Sequence, residues 1–514
     1  MGATLASSVL GFGREIVNAR FFGTTPQLDA FLAAAVIPTI LFGVFNGALV
    51  NALVPVFSEY WNPDDQTEFR RLTSTVFNIV LIGLSVSAFL GWVLAPLYVP
   101  LIAHGFPQAQ METTVRMTRW LMPSVLATSL AGVVAALLNA QNRFSATAIQ
   151  GIAANVVTIG VVVWLNPRLG IFALVLGTAL GLAAQLLVQL PSVLLRGTYR
   201  PVIDLGHPGL TRIMLMLGPI VVGSAAGQTA IFFDRFFAST LSPGYLSGMN
   251  YATRLVGFPQ QIFAAAIATV IFPLFASQFA SANLAGVRRS VVMGLRMVNL
   301  FTIPSVVVLI MLARPIVAAL FQGGAFKSTA TDLCAGLLPF AASGLVGTAA
   351  SIVLTRCSFA CKETRWTVGI SIFAVVLNVA LSVYWLPTLG ARGLLLANGI
   401  SQWVQAAAFF VLVWKLVGGL DWKPIAVSTF KIVLCALATA LALDWVASLH
   451  VHTDPSLASR AWYLTGQLFI AAMAFIGTAQ LLGVEELRIA VQLIVAKFAS
   501  RTPMAPVDAQ APIA

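Results

Sequence analysis

Charge is what this sequence has least of. Of its 514 residues only 9% are Asp, Glu, Lys or Arg, where a soluble domain carries about 25%. Hydrophobic residues supply 59% of the chain and the mean hydropathy is +0.92. That pairing excludes a water-soluble globule and implies an integral membrane protein. Histidine and cysteine are scarce too, four of each. Cys334, Cys357, Cys361 and Cys435 have neither zinc-site nor thioredoxin spacing, so free thiols are expected. His450-x-His452 reads as a solvated loop pair. No metal and no cofactor is expected. A Walker A sequence is missing, as are Gly-x-Ser-x-Gly, His-Glu-x-x-His and paired-carboxylate signatures, which argues against an ATPase and against an enzyme in general. The N-terminal segment lacks the basic stretch of a cleavable signal peptide.

The charge that is present is lopsided, with 29 Lys and Arg against 17 Asp and Glu and a formal net charge of +12. In a soluble protein such an excess points to nucleic acid. In a membrane protein it follows from the enrichment of cytoplasmic loops in Lys and Arg, so no nucleic-acid partner is expected. About 20 apolar residues span a bilayer. About fourteen candidate spans follow, near 3–22, 27–57, 72–98, 115–138, 145–165, 170–195, 213–238, 247–280, 290–312, 332–355, 366–387, 391–416, 425–447 and 461–483. Pro38, Pro273 and Pro304 offer bending points in the second, eighth and ninth. If the N-terminus is cytoplasmic, eighteen Lys and Arg fall in inside loops and seven outside, leaving Arg14, Arg20, Arg235 and Arg254 for the membrane. Both termini are thus expected in the cytoplasm of a multi-pass inner-membrane protein.

The chain also repeats itself. Arg20-Phe21-Phe22 recurs as Arg235-Phe236-Phe237, Leu121-Met122-Pro123 as Leu337-Leu338-Pro339, and the segment from Leu169-Gly170 to Gln185 as Leu389-Gly390 to Gln405. The offsets are near-constant, about six spans, and an even number of spans makes the repeat parallel. The expected fold is therefore an all-α membrane protein of two parallel six-helix lobes around a central cavity, plus two C-terminal helices. The lobes are 1–196 and 213–416, joined by a cytoplasmic linker at 197–212. The two extra spans occupy 417–483. A cytoplasmic amphipathic helix and a Pro/Ala-rich tail, expected to be disordered, fill 484–514.

Intramembrane charges fall on the first and second helices of each half: Arg14, Glu15, Arg20 and Asp29, then Asp234, Arg235 and Arg254. A charged group at the bilayer centre costs about 2.5–3.5 kcal/mol even on the lenient insertion scale. One reading is a cavity that receives an anionic headgroup, because arginine's planar fork suits phosphate oxygens. The other is structural: Arg20 and Asp29 snorkel to the interface, and Asp234 and Arg235 pair with neighbours. The candidate cavity residues are Arg14, Glu15, Asp29, Asp234, Arg235 and Arg254. Gly43-x-x-x-Gly47 and Gly177-x-x-x-Gly181 read as close helix packing.

Several motifs carry a family resemblance. Ser8-Val9-Leu10-Gly11-Phe12-Gly13-Arg14-Glu15, Ala19-Arg20-Phe21-Phe22-Gly23, Asp29-Ala30-Phe31 and Ile37-Pro38 open the chain. Asn139-Ala140-Gln141-Asn142-Arg143-Phe144, Asp234-Arg235, Asn250-Tyr251-Ala252-Thr253-Arg254-Leu255 and Phe321-Gln322-Gly323-Gly324-Ala325-Phe326 follow in order. Together they resemble the MurJ (MviN) family of lipid-linked precursor flippases, over essentially the whole chain. The resemblance implies a polyprenyl diphosphate-linked glycan as substrate and membrane lipids as surroundings. It implies alternating access as mechanism, with the polyprenyl tail along spans thirteen and fourteen, and leaves the oligomeric state open. Alternatives are export of another polyprenyl-linked glycan, an ion-coupled antiporter of the same superfamily, or a non-transporting scaffold in envelope assembly. The chain departs from the family pattern at Ser8, where the family has arginine, and across Thr39–Gly47, which lacks its arginines and glutamate; Thr253 replaces an acid. The departures imply a different glycan, or the same diphosphate held less tightly.

Overall fold

The computed structural model describes residues 2–62, 64–143, 145–194, 199, 201–449, 456–489 and 492. Arg196, Arg200, His450, His452, most of the expected amphipathic helix and the whole of the tail lie outside them. Apolar runs leave the backbone no partner but itself in lipid, so the chain is helical almost throughout. In order the helices are α1 (Gly2–Phe22), α2 (Pro26–Ala34), α3 (Val36–Tyr60), α4 (Thr67–Ile102), α5 (Gln108–Ala140), α6 (Ser145–Leu169), α7 (Ile171–Leu194) and α8 (Pro208–Ala238). Then come α9 (Tyr245–Pro259), a π-helical turn (Gln260–Ala264), α10 (Ala265–Ala280), α11 (Leu284–Met311), the short α12 (Ala313–Leu320), α13 (Ser328–Ala342) and α14 (Leu345–Ala360). Last are α15 (Arg365–Leu389), α16 (Ala391–Leu416), α17 (Trp422–Ser448) and α18 (Leu457–Leu481).

Helix covers each of the fourteen expected stretches. Among the described residues ten helices are long and apolar enough to cross a membrane, with α9 and α10 counted together, and eleven if α13 and α14 form one interrupted span. The other three expected spans correspond to α1, to α2 with α3, and to α8. Large side chains such as Leu97, Trp164, Tyr384 and Trp462 stand 70% or more exposed, as they do when the solvent is hydrocarbon. All four cysteines are free and buried.

Local chemistry sets the breaks. The second expected span divides at Ala35 rather than at Pro38 itself. Pro38 has no N–H for the carbonyl of Ala34, and its ring crowds that carbonyl, so α2 ends there. The π-helical turn likewise follows directly on Pro259, where the regular ladder has lost a donor. Thr25 caps α2 by accepting from the Leu28 N–H at 3.4 Å, with Pro26 at the first helical position.

The repeat is visible in the helix boundaries. α6 and α15 begin at Ser145 and Arg365 and end at Leu169 and Leu389, 220 positions apart at both ends. α5 and α14 end at Ala140 and Ala360, α3 and α10 at Tyr60 and Ala280, with the same spacing. Single residues, Gly170 and Gly390, join α6 to α7 and α15 to α16, at φ +53° and +55°. A side chain there would be strained, so glycine is required for so tight a reversal.

Two compact units emerge from the packing: Met1–Arg254 with Val317–Ala341 and Val368–Ser401, and Leu255–Ile316 with Ala342–Thr367 and Gln402–Ala514. In the first, α5 is the central helix, packed on α2, α3, α4 and α7, and most of its C-terminal half is buried. The pair α6–α7 is equally close: a Cβ on Gly181 would meet the Thr158 hydroxyl at 2.2 Å and the Ala154 carbonyl at 2.6 Å, and Thr158 Oγ1 donates to the Gly177 carbonyl at 3.0 Å. The Gly177-x-x-x-Gly181 pattern thus serves close approach. In the second unit α11 is central, flanked by α10, α14 and α17.

Candidate functional site

Within the first unit a cavity of about 420 Å³ is lined by α1, α2, α3, α5, α7, α8 and α9. Its walls carry Arg14 and Glu15 from α1, Arg235 from α8 and Arg254 from α9. Arg14 Nη2 donates to Glu15 Oε1 at 3.1 Å, and Arg254 Nε lies 4.0 Å from the same oxygen. Arg235 Nη2 donates to Asn250 Oδ1 at 3.1 Å. Glu15 is buried while the side chains of Arg14 and Arg254 are 30% and 54% exposed. On this wall Arg14 and Arg254 share the one carboxylate of Glu15, a surplus of one positive charge, while Arg235 also interacts electrostatically with the buried carboxylates of Asp234 and Asp29. Asn18, Asn250, Tyr251 and the hydroxyl residues Thr39, Ser124, Thr128 and Thr178 complete the polar lining, among leucines and valines.

Asp29 stands off this wall, 2% exposed. Its two oxygens accept from the Gly244 and Ser247 N–H groups, at 2.5 and 2.7 Å, at the start of α9. Those N–H groups have no partner inside their own helix and form its positive end, so a carboxylate satisfies both needs. Gly244 sits at φ +89°, and a Cβ there would lie 2.7 Å from the Thr24 carbonyl, so only glycine allows the approach. Around this latch Gln110 Nε2 donates to the Pro26 carbonyl at 2.9 Å and the Ala325 N–H to the Arg20 carbonyl at 2.8 Å. Phe321 and Phe326, the ends of the Phe-Gln-Gly-Gly-Ala-Phe motif, are fully buried against Tyr251. Together these contacts close the unit on the side of the α1–α2 and α8–α9 turns.

Asp234 faces a neighbouring cavity of about 160 Å³, which shares Arg235 and Asn250 with the first and adds Thr253 and Asn398. Asn378 Nδ2 donates to Asp234 Oδ1 at 3.4 Å. Arg20 is exposed and lines neither cavity. Of the six candidates, then, Arg14, Glu15, Arg235 and Arg254 share one wall, Asp234 lies next door, and Asp29 holds two turns together. Ser8 lies on α1 and Gly43 on α3; the side chains of Phe42 and Asn46 are outside the described residues. Sequence reasoning missed Asn250 and Asn378 as partners of the intramembrane charges. The available signal was that buried charges need hydrogen-bonding neighbours, which amides in otherwise apolar spans supply.

A bundle of long apolar helices enclosing a cationic cavity defines a polytopic membrane transporter. The chain belongs to the MurJ lipid II flippase family, whose model matches residues 18–458. It is 28% identical over 419 residues to the probable lipid II flippase MurJ of Buchnera aphidicola subsp. Acyrthosiphon pisum, covering 80% of this chain and 81% of that protein. It is 29% identical over 421 residues to the lipid II flippase MurJ of Burkholderia cenocepacia, with 80% and 81% covered. The probable lipid II flippase MurJ of Vibrio cholerae is 28% identical over 498 residues, 94% of each chain. Among solved structures, lipid II flippase MurJ in an inward closed conformation superimposes with a TM-score of 0.79 at 22% identity, covering 93% of this chain and 97% of that one. An inward-facing multidrug resistance MATE family transporter of the MOP superfamily gives 0.65 at 16% identity, with 80% and 94% covered. These structures share the fold.

Proposed function

We propose that this protein moves lipid II from the inner to the outer leaflet of the cytoplasmic membrane by alternating access. The observation that carries the reading is the surplus of guanidinium charge where Arg14 and Arg254 share the single carboxylate of Glu15 on a cavity wall inside apolar helices. A diphosphate supplies the missing anions, and each charge-assisted bond to it contributes about 1.5–3 kcal/mol. Arg14 and Arg254, the more open pair, hold the phosphate oxygens. Glu15 keeps the two forks oriented when no substrate is present. Asp234 and Arg235 shape the adjoining wall. The polyprenyl tail stays in lipid.

The repeat in helix boundaries supports two six-helix lobes, 1–196 and 213–416, that rock about the site. The eighteen-to-seven excess of Lys and Arg supports cytoplasmic termini. The Asp29 latch then lies on the outer side and yields when the cavity opens there. With no nucleotide-binding sequence, the cycle draws on membrane potential, an ion gradient or removal of substrate outside; one charge moved through 100 mV supplies about 2.3 kcal/mol.

Complementation of a strain depleted of its own lipid II flippase tests the reading. The native protein is expected to rescue growth partially, and Ser8→Arg to improve rescue at equal expression, because a further cation on α1, the helix that carries Arg14, adds attraction for the diphosphate. No rescue by either form overturns lipid II as substrate. Full rescue by the native chain shows that the departure at Ser8 costs nothing.

A further inference from the structure

A second cavity in the first unit has a different chemistry. It measures about 480 Å³ and lies between α1, α3, α5, α6 and α7. Its polar lining comes from Asn139, Gln150, Gln185, Ser7, Thr147 and Thr128, and no described lining residue is charged. The remaining wall is mostly alanine and glycine, which leaves backbone and amide groups within reach of an occupant. Thr128 belongs to the walls of both this cavity and the cationic one, so the two adjoin.

Polar groups here exceed what the fold uses. Gln189 Nε2 donates to Gln150 Oε1 at 2.7 Å and to the Gln185 carbonyl at 2.9 Å. Yet Asn139 Oδ1, on the cavity wall, is a buried acceptor without a protein hydrogen-bond partner among the described residues, as is Oε1 of Gln189, which stands behind the wall as the partner of Gln150. Such an acceptor costs about 1–3 kcal/mol unless a donor meets it, so the amides are poor choices for packing alone. The other half of the repeat makes the same point. At the 220-residue spacing Asn139, Gln150 and Gln189 correspond to Phe359, Ile370 and Phe409, and only Gln185 keeps its amide, as Gln405. The helix pair folds with apolar residues at these places, so the amides answer to something else.

We propose that this amide-lined cavity is the subsite for the uncharged carbohydrate part of the substrate, next to the cationic wall that takes its diphosphate. A sugar ring presents hydroxyl and acetamido groups that both donate and accept, and side-chain amides match both roles without attracting a counter-charge. The volume falls in the usual range for small-molecule sites, about 300–1,000 Å³. The adjoining walls suit a ligand whose anionic and neutral parts are covalently linked. The inference rests on the flippase reading above and deepens it.

The test compares two lipids, lipid II and the bare polyprenyl diphosphate, for binding to purified protein in nanodiscs. Native protein is expected to bind lipid II the more tightly of the two. Asn139→Leu and Gln150→Leu are expected to weaken lipid II binding about tenfold, the loss of one or two neutral hydrogen bonds, while leaving the bare diphosphate unchanged. Replacing an unpartnered buried acceptor by an apolar side chain is neutral or stabilising, so Asn139→Leu should keep or raise the melting temperature, which separates lost recognition from lost folding. Gln150→Asn, which retains an amide, is expected to fall between native and Gln150→Leu. If the variants keep the native preference for lipid II, or lose both lipids equally, the carbohydrate subsite is overturned and the flippase reading stands. If native protein binds neither lipid, the flippase reading itself falls and takes the subsite with it.

Discussion

The two compact units each bury arginine among carboxylates, and they do so to opposite ends. In the second, Arg296 on α11 is bonded to Glu485 at 2.9 Å and, more closely, to Glu486, which also accepts from Ser428 Oγ at 2.6 Å. Arg296 meets two acids there, with Lys431 and Arg488 also close enough to act on Glu485, and Glu486 is 1% exposed. Every partner is supplied by the protein, so the cluster ties α11 and α17 to the segment after α18 and has nothing left for a ligand. In the first unit Arg14 and Arg254 share one buried acid, Glu15, and open on a cavity. Arginine in an apolar helix is therefore no sign of function by itself; what distinguishes the two regions is whether the guanidinium is taken up by close carboxylates or opens on a cavity.

Substitutions should separate them. The largest effect is expected at Arg14 and Arg254, where alanine should abolish lipid II transport in a depletion strain while protein accumulates in the membrane normally. Lysine should restore activity only in part, because a point charge cannot make bidentate phosphate contacts. Full activity in either alanine variant would remove that arginine from the binding role.

Next in size is Glu486→Ala, which leaves Arg296 short of its most buried partner. Loss of one member of a buried pair costs about 3–5 kcal/mol, so the melting temperature should fall well below that of native protein. Transport per folded molecule should be unchanged; an unaltered melting temperature would mean that Glu485 alone satisfies Arg296.

The smallest effect is expected at Glu485, whose side chain is 73% exposed and whose carboxyl is held below the usual carboxylate range by its hydrogen bond to Arg296. A depressed carboxyl contributes stability that is present above its unfolded pKa and is lost as pH falls through its folded one. The melting temperatures of native protein and Glu485→Gln should thus differ slightly at neutral pH and converge on acidification. A gap that widens in acid would show that Arg296 is not what stabilises the charged form.

Much of this was legible in the sequence. Runs of about 20 apolar residues leave helix as the only solution in lipid, so the all-helical membrane fold could be read from composition, and ten of the expected spans, eleven with the interrupted pair, appear as helices long and apolar enough to cross among the described residues. The break at Ala35 was expected from Pro38 but displaced, because proline acts on the carbonyl four residues before it. Arg14, Glu15, Arg235 and Arg254 stood out because charge in hydrocarbon is expensive. What a linear reading could not give was the partner of each charge. Asp29 reaches Gly244 and Ser247, more than two hundred residues away, and nothing local marks a carboxylate as the cap of so distant a helix. The amides at Asn139, Gln150 and Gln189 went unread for another reason: one neutral polar residue in a long apolar span is unremarkable until its neighbours are known.

The one-residue joints at Gly170 and Gly390 bear on how the chain is made. Between Leu169 and Ile171 there is no loop to thread through or hold back, so α6 and α7 are tied into one tight hairpin. Neither can serve as a stop for the other during synthesis. Whatever machinery inserts this protein must accept the two helices as one hairpin, and again for α15 and α16, so the smallest insertable piece here is a pair of helices.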